Sequence, residues 1–193
     1  MFYIGNYISP TTLKRFLHYL HNDFSGSSLF IYINSVGGCT RSSMAMFEIM
    51  RTMSDKHQIS VVTQAFDDCF SASLVLFLAG DLRYATKHAK FMIHEVQVGE
   101  SAKKHAEGYK TTAIELQKET TLLFDMIHSR VPKLSVEMMR KKVKEAKDND
   151  WTFGVPEAKK LGIVTHSGFF MPDLSAEEEE EEEEGEDDTE TAT

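Results

Sequence analysis

Two cysteines, four prolines and one tryptophan are all that this 193-residue chain holds of those types, and the scarcities narrow the field. Cys39 and Cys69 are too few for a disulfide framework and lack the paired spacing of a zinc site, so a reducing, cytoplasmic setting is expected. No stretch approaches the roughly 18 apolar residues that a membrane helix needs. The opening Met1-Phe2-Tyr3-Ile4-Gly5 has no basic end leading into an apolar run, so neither a membrane span nor an export signal is predicted. Basic arms are missing too. The net charge is -9, yet 13 of the 30 acids fall in residues 173–193, where no base occurs; 17 acids against 21 Lys and Arg leave residues 1–172 near +4, spread along the chain. Nucleic-acid binding is not expected.

What is present is ordinary for a globular protein: 41% hydrophobic and 26% charged residues. Residues 1–172 suffice for one core, and they are read as one domain. Residues 173–193 carry an unbroken run from Glu177 to Glu184 that repels itself, and they are read as a disordered acidic tail. Helical spacing of Leu13, Phe16, Leu17 and Leu20 after Pro10 predicts a helix over Thr11 to His21. Leu29 to Ile33 is a continuous apolar and aromatic run suited to a buried parallel strand, broken by Asn34-Ser35-Val36-Gly37-Gly38. A helix with Met46, Ile49, Met50 and Met53 on one face follows. Ile59 to Val62, Arg83 to Ala85 and Phe91 to Ile93 are short strands. Ser71 to Ala79, with almost no polar face, is a helix buried all round. Ala102 to Arg130 forms one long helix ended by Pro132, and Ser135 caps another. The alternation predicts an α/β fold of βαβ units with right-handed crossovers.

Several residues in this frame have chemistry to offer. Ser71 stands where the polar loop Phe66-Asp67-Asp68-Cys69-Phe70 meets an apolar helix. Its hydroxyl is either a helix cap or a nucleophile, and in the second case a nascent oxyanion meets the backbone N–H of Ala72 at the helix start. Ser73 and Cys69 are rival nucleophiles. His94 directly follows the apolar strand Phe91-Met92-Ile93, at the end where α/β proteins place their sites, and is either a general base or a core histidine. Gly37-Gly38 makes either a tight turn or a close backbone approach to a substrate carbonyl; no phosphate-binding Gly-x-x-x-x-Gly-Lys motif accompanies it. Asp148-Asn149-Asp150-Trp151 is either a solvated loop or the source of a carboxylate that orients the histidine.

Taken in order, Ile31 to Gly38, Ser71 to Gly80, Phe91 to His94 and Asp148 to Gly162 resemble the proteolytic subunit of the Clp protease, ClpP, and its phage-type relatives, over roughly Phe2 to Val164. The resemblance implies a ClpP/crotonase-like fold with a protruding handle helix from about Ala102 to Arg130. It implies a serine endopeptidase with Ser71 as nucleophile, His94 as general base and Asp150 as the third member of the triad. Backbone N–H groups of Gly38 and Ala72 fall on the oxyanion hole, and no metal or other cofactor is implied. It further implies self-association into two stacked seven-membered rings around a chamber that admits peptides or unfolded protein.

Departures from the family pattern qualify this picture. Met1 lies almost at the first strand, so the N-terminal axial loops that meet an AAA+ unfoldase are not expected, which sets that partnership in question. Val36 stands where the family has Pro, Ala72-Ser73-Leu74 where it has Met-Gly-Ala, and Glu95-Val96 where it has Gln-Pro. The segment before Ser71 is about two residues longer. A catalytically silent ring subunit and a crotonase-like acyl-CoA enzyme are the alternative readings.

Overall fold

The computed structural model describes residues 1–97 and 106–171; the start of the expected handle and the acidic tail fall outside the described residues. The order of elements is β1 (Phe2–Ile8), α1 (Pro10–Asn22), β2 (Ser28–Gly38), α2 (Thr40–His57), β3 (Ser60–Phe70), α3 (Ala72–Leu78), β4 (Leu82–Ala85) and β5 (Lys90–Ile93). Then come α4 (Ala106–Arg130), α5 (Val136–Glu145), a short 3-10 turn (Lys147–Asn149), β6 (Trp151–Gly154), α6 (Val155–Leu161) and β7 (His166–Ser167). The α/β class read from the sequence is what the molecule adopts.

Local chemistry explains the element ends. Ser9 caps α1 by accepting from the Thr12 N–H while the Thr12 hydroxyl accepts from the Ser9 N–H, and Pro10 occupies the first turn, where its missing N–H costs nothing. Ser135 caps α5 through the Met138 N–H. Gly162 ends α6 in the left-handed region at φ 87°.

Five strands run parallel in the order β1-β2-β3-β4-β7, and β5 and β6 branch from the far half of β3. The branching rests on β3, which pairs with β4 over Val62 to Ala65 and with β5 over Asp68 to Phe70. Between the pairs Ile33↔Ala65 and Ser35↔Cys69, β2 advances two residues while β3 advances four. That bulge bends β3 away from β4 and toward β5. Its two extra residues coincide with the extra length read before Ser71. β6 then adds to β5 in antiparallel register.

Two expected breaks in the strands are thus corrected. Asn34 to Gly38 does not end β2: Ser35 Oγ donates to the Asn6 carbonyl at 2.5 Å, and Gly37 and Gly38 pair with Tyr7 and Ile8 of β1. Nor is Phe66 to Phe70 a loop. It remains strand because Asp68, Cys69 and Phe70 find partners on β5 and the Asp68 N–H reaches Asn34 Oδ1.

Helix α3 is buried along its whole length, as its near-absence of a polar face predicts, between the sheet on one side and α2 and α4 on the other. Among the described residues of α4, Leu123, Phe124 and Ile127 of its C-terminal part join the core, whereas Ile114 and Leu122 are exposed. On the opposite face of the sheet Phe169 stacks on Tyr32 and Phe170 on Phe30, and the Phe170 N–H donates to Gln64 Oε1.

Candidate active site

Ser71 is the first residue after β3 and the residue preceding α3, with φ 56° and ψ -124°. A serine in that region is strained, and such strain persists only where surrounding structure enforces it. Here the enforcement comes from the Ser71 N–H, which donates to the Met92 carbonyl of β5 at 2.8 Å, and from α3, which begins at once. The hydroxyl makes no capping bond to the helix. Instead Ser71 Oγ lies 2.6 Å from His94 Nε2. Of the two readings open to this serine, helix cap and nucleophile, the geometry lacks the bond that the first requires.

The rivals are occupied or inert. Ser73 is fully buried, and its hydroxyl faces the carbonyls of Ser35 and Phe70, each at 2.8 Å. Cys69 is fully buried, and desolvation pushes its thiol far above the ordinary range, so the thiolate needed for attack does not form near neutral pH.

The third residue arrives by strand register. Ile93 pairs with Trp151 in the antiparallel β5–β6 ladder, so the residue after Ile93 faces the residue before Trp151. Those are His94 and Asp150. His94 Nδ1 is 3.3 Å from Asp150 Oδ1, but the alignment misses a hydrogen bond, and both atoms are buried without another partner among the described residues. The turn that feeds Asp150 puts Asp148 and Asn149 at φ 57° and 60°, a conformation that Asp and Asn side chains tolerate better than most.

Gly37 and Gly38 lie beside this row, with distinct steric duties. A Cβ on Gly37 would sit 2.7 Å from the Phe70 carbonyl oxygen and 2.9 Å from Ser71 Cβ, so the bare backbone is what lets the end of β2 rest on Ser71. A Cβ on Gly38 would strike Ile8 backbone at 2.2 Å. Ala72 opens α3, where the first N–H groups of a helix have no intrahelical acceptor.

The family model for Clp protease matches residues 6–167. The chain belongs to the Clp protease family. Among relatives, this family member is 28% identical over 152 residues to the ATP-dependent Clp protease proteolytic subunit 2 of Tropheryma whipplei, covering 76% of this chain and 77% of the relative. It is 31% identical over 162 residues to the ATP-dependent Clp protease proteolytic subunit of Bacteroides thetaiotaomicron, covering 81% of this chain and 67% of the relative. Family membership supports a serine peptidase function.

Beyond the row lie Glu95 and Val96, which stand where the family pattern has Gln-Pro. In this Clp protease family member they line a hollow of about 210 Å³ together with Leu116, Thr120 and Arg140. The Val96 N–H donates to Thr120 Oγ1 at 3.0 Å, and Arg140 pairs with Glu95 at 3.3 Å. A larger, open hollow of about 700 Å³ between α4 and α5, lined by Ile114, Lys118 and Leu122 among others, does not include Ser71 or His94. No helix among the described residues is long and apolar enough to cross a membrane. No group of three or more His, Cys, Asp or Glu side chains among them is arranged to hold a metal ion.

Proposed function

We propose that this chain is a serine endopeptidase subunit that cuts peptide bonds through an acyl-enzyme on Ser71. The observation that carries the reading is the 2.6 Å contact between Ser71 Oγ and His94 Nε2 at a strained strand-to-helix turn. His94 Nε2 takes the hydroxyl proton as Oγ attacks the substrate carbonyl, and the developing oxyanion is received by the N–H groups of Gly38 and Ala72. His94 then passes the proton to the leaving amine. Water, deprotonated by the same imidazole, releases the acyl group and restores Ser71. Asp150 holds the His94 tautomer with the proton on Nδ1 and stabilises the imidazolium. From a 3.3 Å start, a small rotation of either side chain completes that bond, and such tightening on substrate binding is common.

Family membership implies ring-forming oligomers that pair with an AAA+ partner. We assign to this chain a chamber of two stacked rings, cytoplasmic in setting, admitting unfolded protein or short peptides. The unaligned His94–Asp150 contact is the one observation favouring the second reading, a silent ring subunit. A fluorophosphonate probe with peptide mapping, run beside native mass measurement, separates the two. Label on the peptide holding Ser71, lost in Ser71→Ala and strongly reduced in His94→Ala, supports the peptidase. An unlabelled ring is the silent subunit.

A further inference from the structure

The end of α3 remote from Ser71 is gripped by three arginines from three different elements. Arg130, in the last turn of α4, donates from Nε to the Leu78 carbonyl at 2.9 Å and from Nη2 to the Gly80 carbonyl at 3.0 Å. Arg51 of α2 donates to the Ala79 carbonyl at 2.9 Å. Arg83 of β4 donates to the Gly80 carbonyl at 2.9 Å and ties that point to Ile163 and Gly162 at 2.7 and 3.0 Å. Two carboxylates stand with them: the more exposed Asp55, which accepts from Arg51 at 2.5 Å, and Asp81. Asp81 accepts from Arg51 at 2.6 Å, from Ser54 Oγ at 2.9 Å and from the Val61 N–H at 3.0 Å.

Three guanidiniums against Asp81 and the more exposed Asp55 still leave an excess of positive charge, which is costly where it is buried. Burial, then the neighbouring Arg130, pulls the Arg83 guanidinium down to about 10. What offsets the excess charge is the negative end of α3, whose last carbonyls have no partners within the helix. The gain in geometry is specific. Along its flank the helix is held by Ser73 Oγ, which bonds the Ser35 and Phe70 carbonyls, and by Thr63 Oγ1, which donates to the Phe77 carbonyl; the planar guanidinium forks add directional bonds at its far end. At seven residues the helix spans only about 10 Å, so its placement at one end is its placement at the other.

We infer that Arg51, Arg83 and Arg130 form a positioning clamp that sets α3 along its axis and thereby the placement of Ser71 and the Ala72 N–H. The inference rests on the reading of Ser71 as nucleophile. None of the three arginines is assigned contact with substrate; they act through the helix.

The test compares the full chain with Arg130→Met, Arg130→Lys and Arg51→Lys, and with Ser9→Ala as a control that removes the α1 cap remote from α3. The clamp predicts that Arg130→Met slows fluorophosphonate labelling about tenfold and lowers kcat in parallel, with KM within about twofold of the parent. Arg130→Lys restores part of the rate, keeping the charge without the fork. Ser9→Ala lowers Tm yet labels at the parental rate. Should Arg130→Met lose its fold, the two Lys variants carry the comparison. Parental labelling by the folded arginine variants overturns the clamp alone. A parent chain that takes no label overturns the Ser71 reading and the clamp with it.

Discussion

Substituting alanine at Gly37 and, separately, at Gly162 sets steric contact against backbone conformation. Both glycines have positive φ, 99° and 87°, so both substitutions carry the cost of a left-handed backbone, about 1–2 kcal/mol. They differ in what the new methyl meets. At Gly162 nothing lies within 4 Å. At Gly37 it would lie 2.7 Å from the Phe70 carbonyl oxygen, 2.9 Å from Ser71 Cβ and 3.2 Å from the Ala72 nitrogen. Two of these are backbone atoms, and none is the end of a flexible side chain that can swing away. Relieving the overlap adds about 1–3 kcal/mol, for a total of about 2–5 kcal/mol at Gly37. For a chain of this size that is a fall in Tm of about 4–20 °C, against about 2–8 °C at Gly162.

The activity contrast is sharper, because the atoms that must move at Gly37 are those of the Ser71 turn. Misplacement of reacting groups by up to 1 Å costs on the order of 10²-fold in rate. Gly37→Ala should therefore slow probe labelling at least tenfold at temperatures where it is folded, while Gly162→Ala labels like the parent. Thermal melts and labelling time courses on the same samples decide it. Equal Tm losses together with equal labelling rates for the two variants would refute the steric argument.

Acid should expose the Asp81 cluster. Burial alone would raise this carboxyl, but bonds from Arg51, the Val61 N–H and Ser54 outweigh it and hold the group below the ordinary carboxylate range. A depressed folded value means stability that is complete above the unfolded value, near 4, and lost as pH falls through the folded one. Asp81→Asn should be less stable than the parent at pH 7 and show a flatter decline below pH 4 in melts followed by circular dichroism. A thiol reagent should modify only Cys39 in the native chain and both cysteines after unfolding, because Cys69 is fully buried with its thiol pushed up. Native labelling at Cys69 would refute the packing described for β3.

Long periodic or uniformly apolar segments were legible in the sequence. The α1 helix, the buried α3 and the Ser135 cap lie where local patterning puts them, since their determinants are a few residues apart. The far halves of β2 and β3 were not legible: Asn34 to Gly38 and Asp67-Asp68 carry turn-forming and charged residues, and only pairing with β1 and β5 keeps them extended. The four-residue β6 has no pattern of its own, and its register depends on β5. Proximity of Ser71 to His94 was expected only through family resemblance. Nothing local shows that a serine will be held at φ 56°, and the arginines around Asp81 come from positions as distant as 51 and 130.

The crosswise pairing of β3, β5 and β6 makes the meeting of Ser71, His94 and Asp150 a matter of register as much as of chemistry. A one-residue slip of β5 against β3 and β6 would leave every motif spelled correctly, yet turn the imidazole to the other side of the sheet. A related chain can thus keep Ser, His and Asp in these motifs without the contacts between them, so strand register bears on the proposed triad as much as the motifs do.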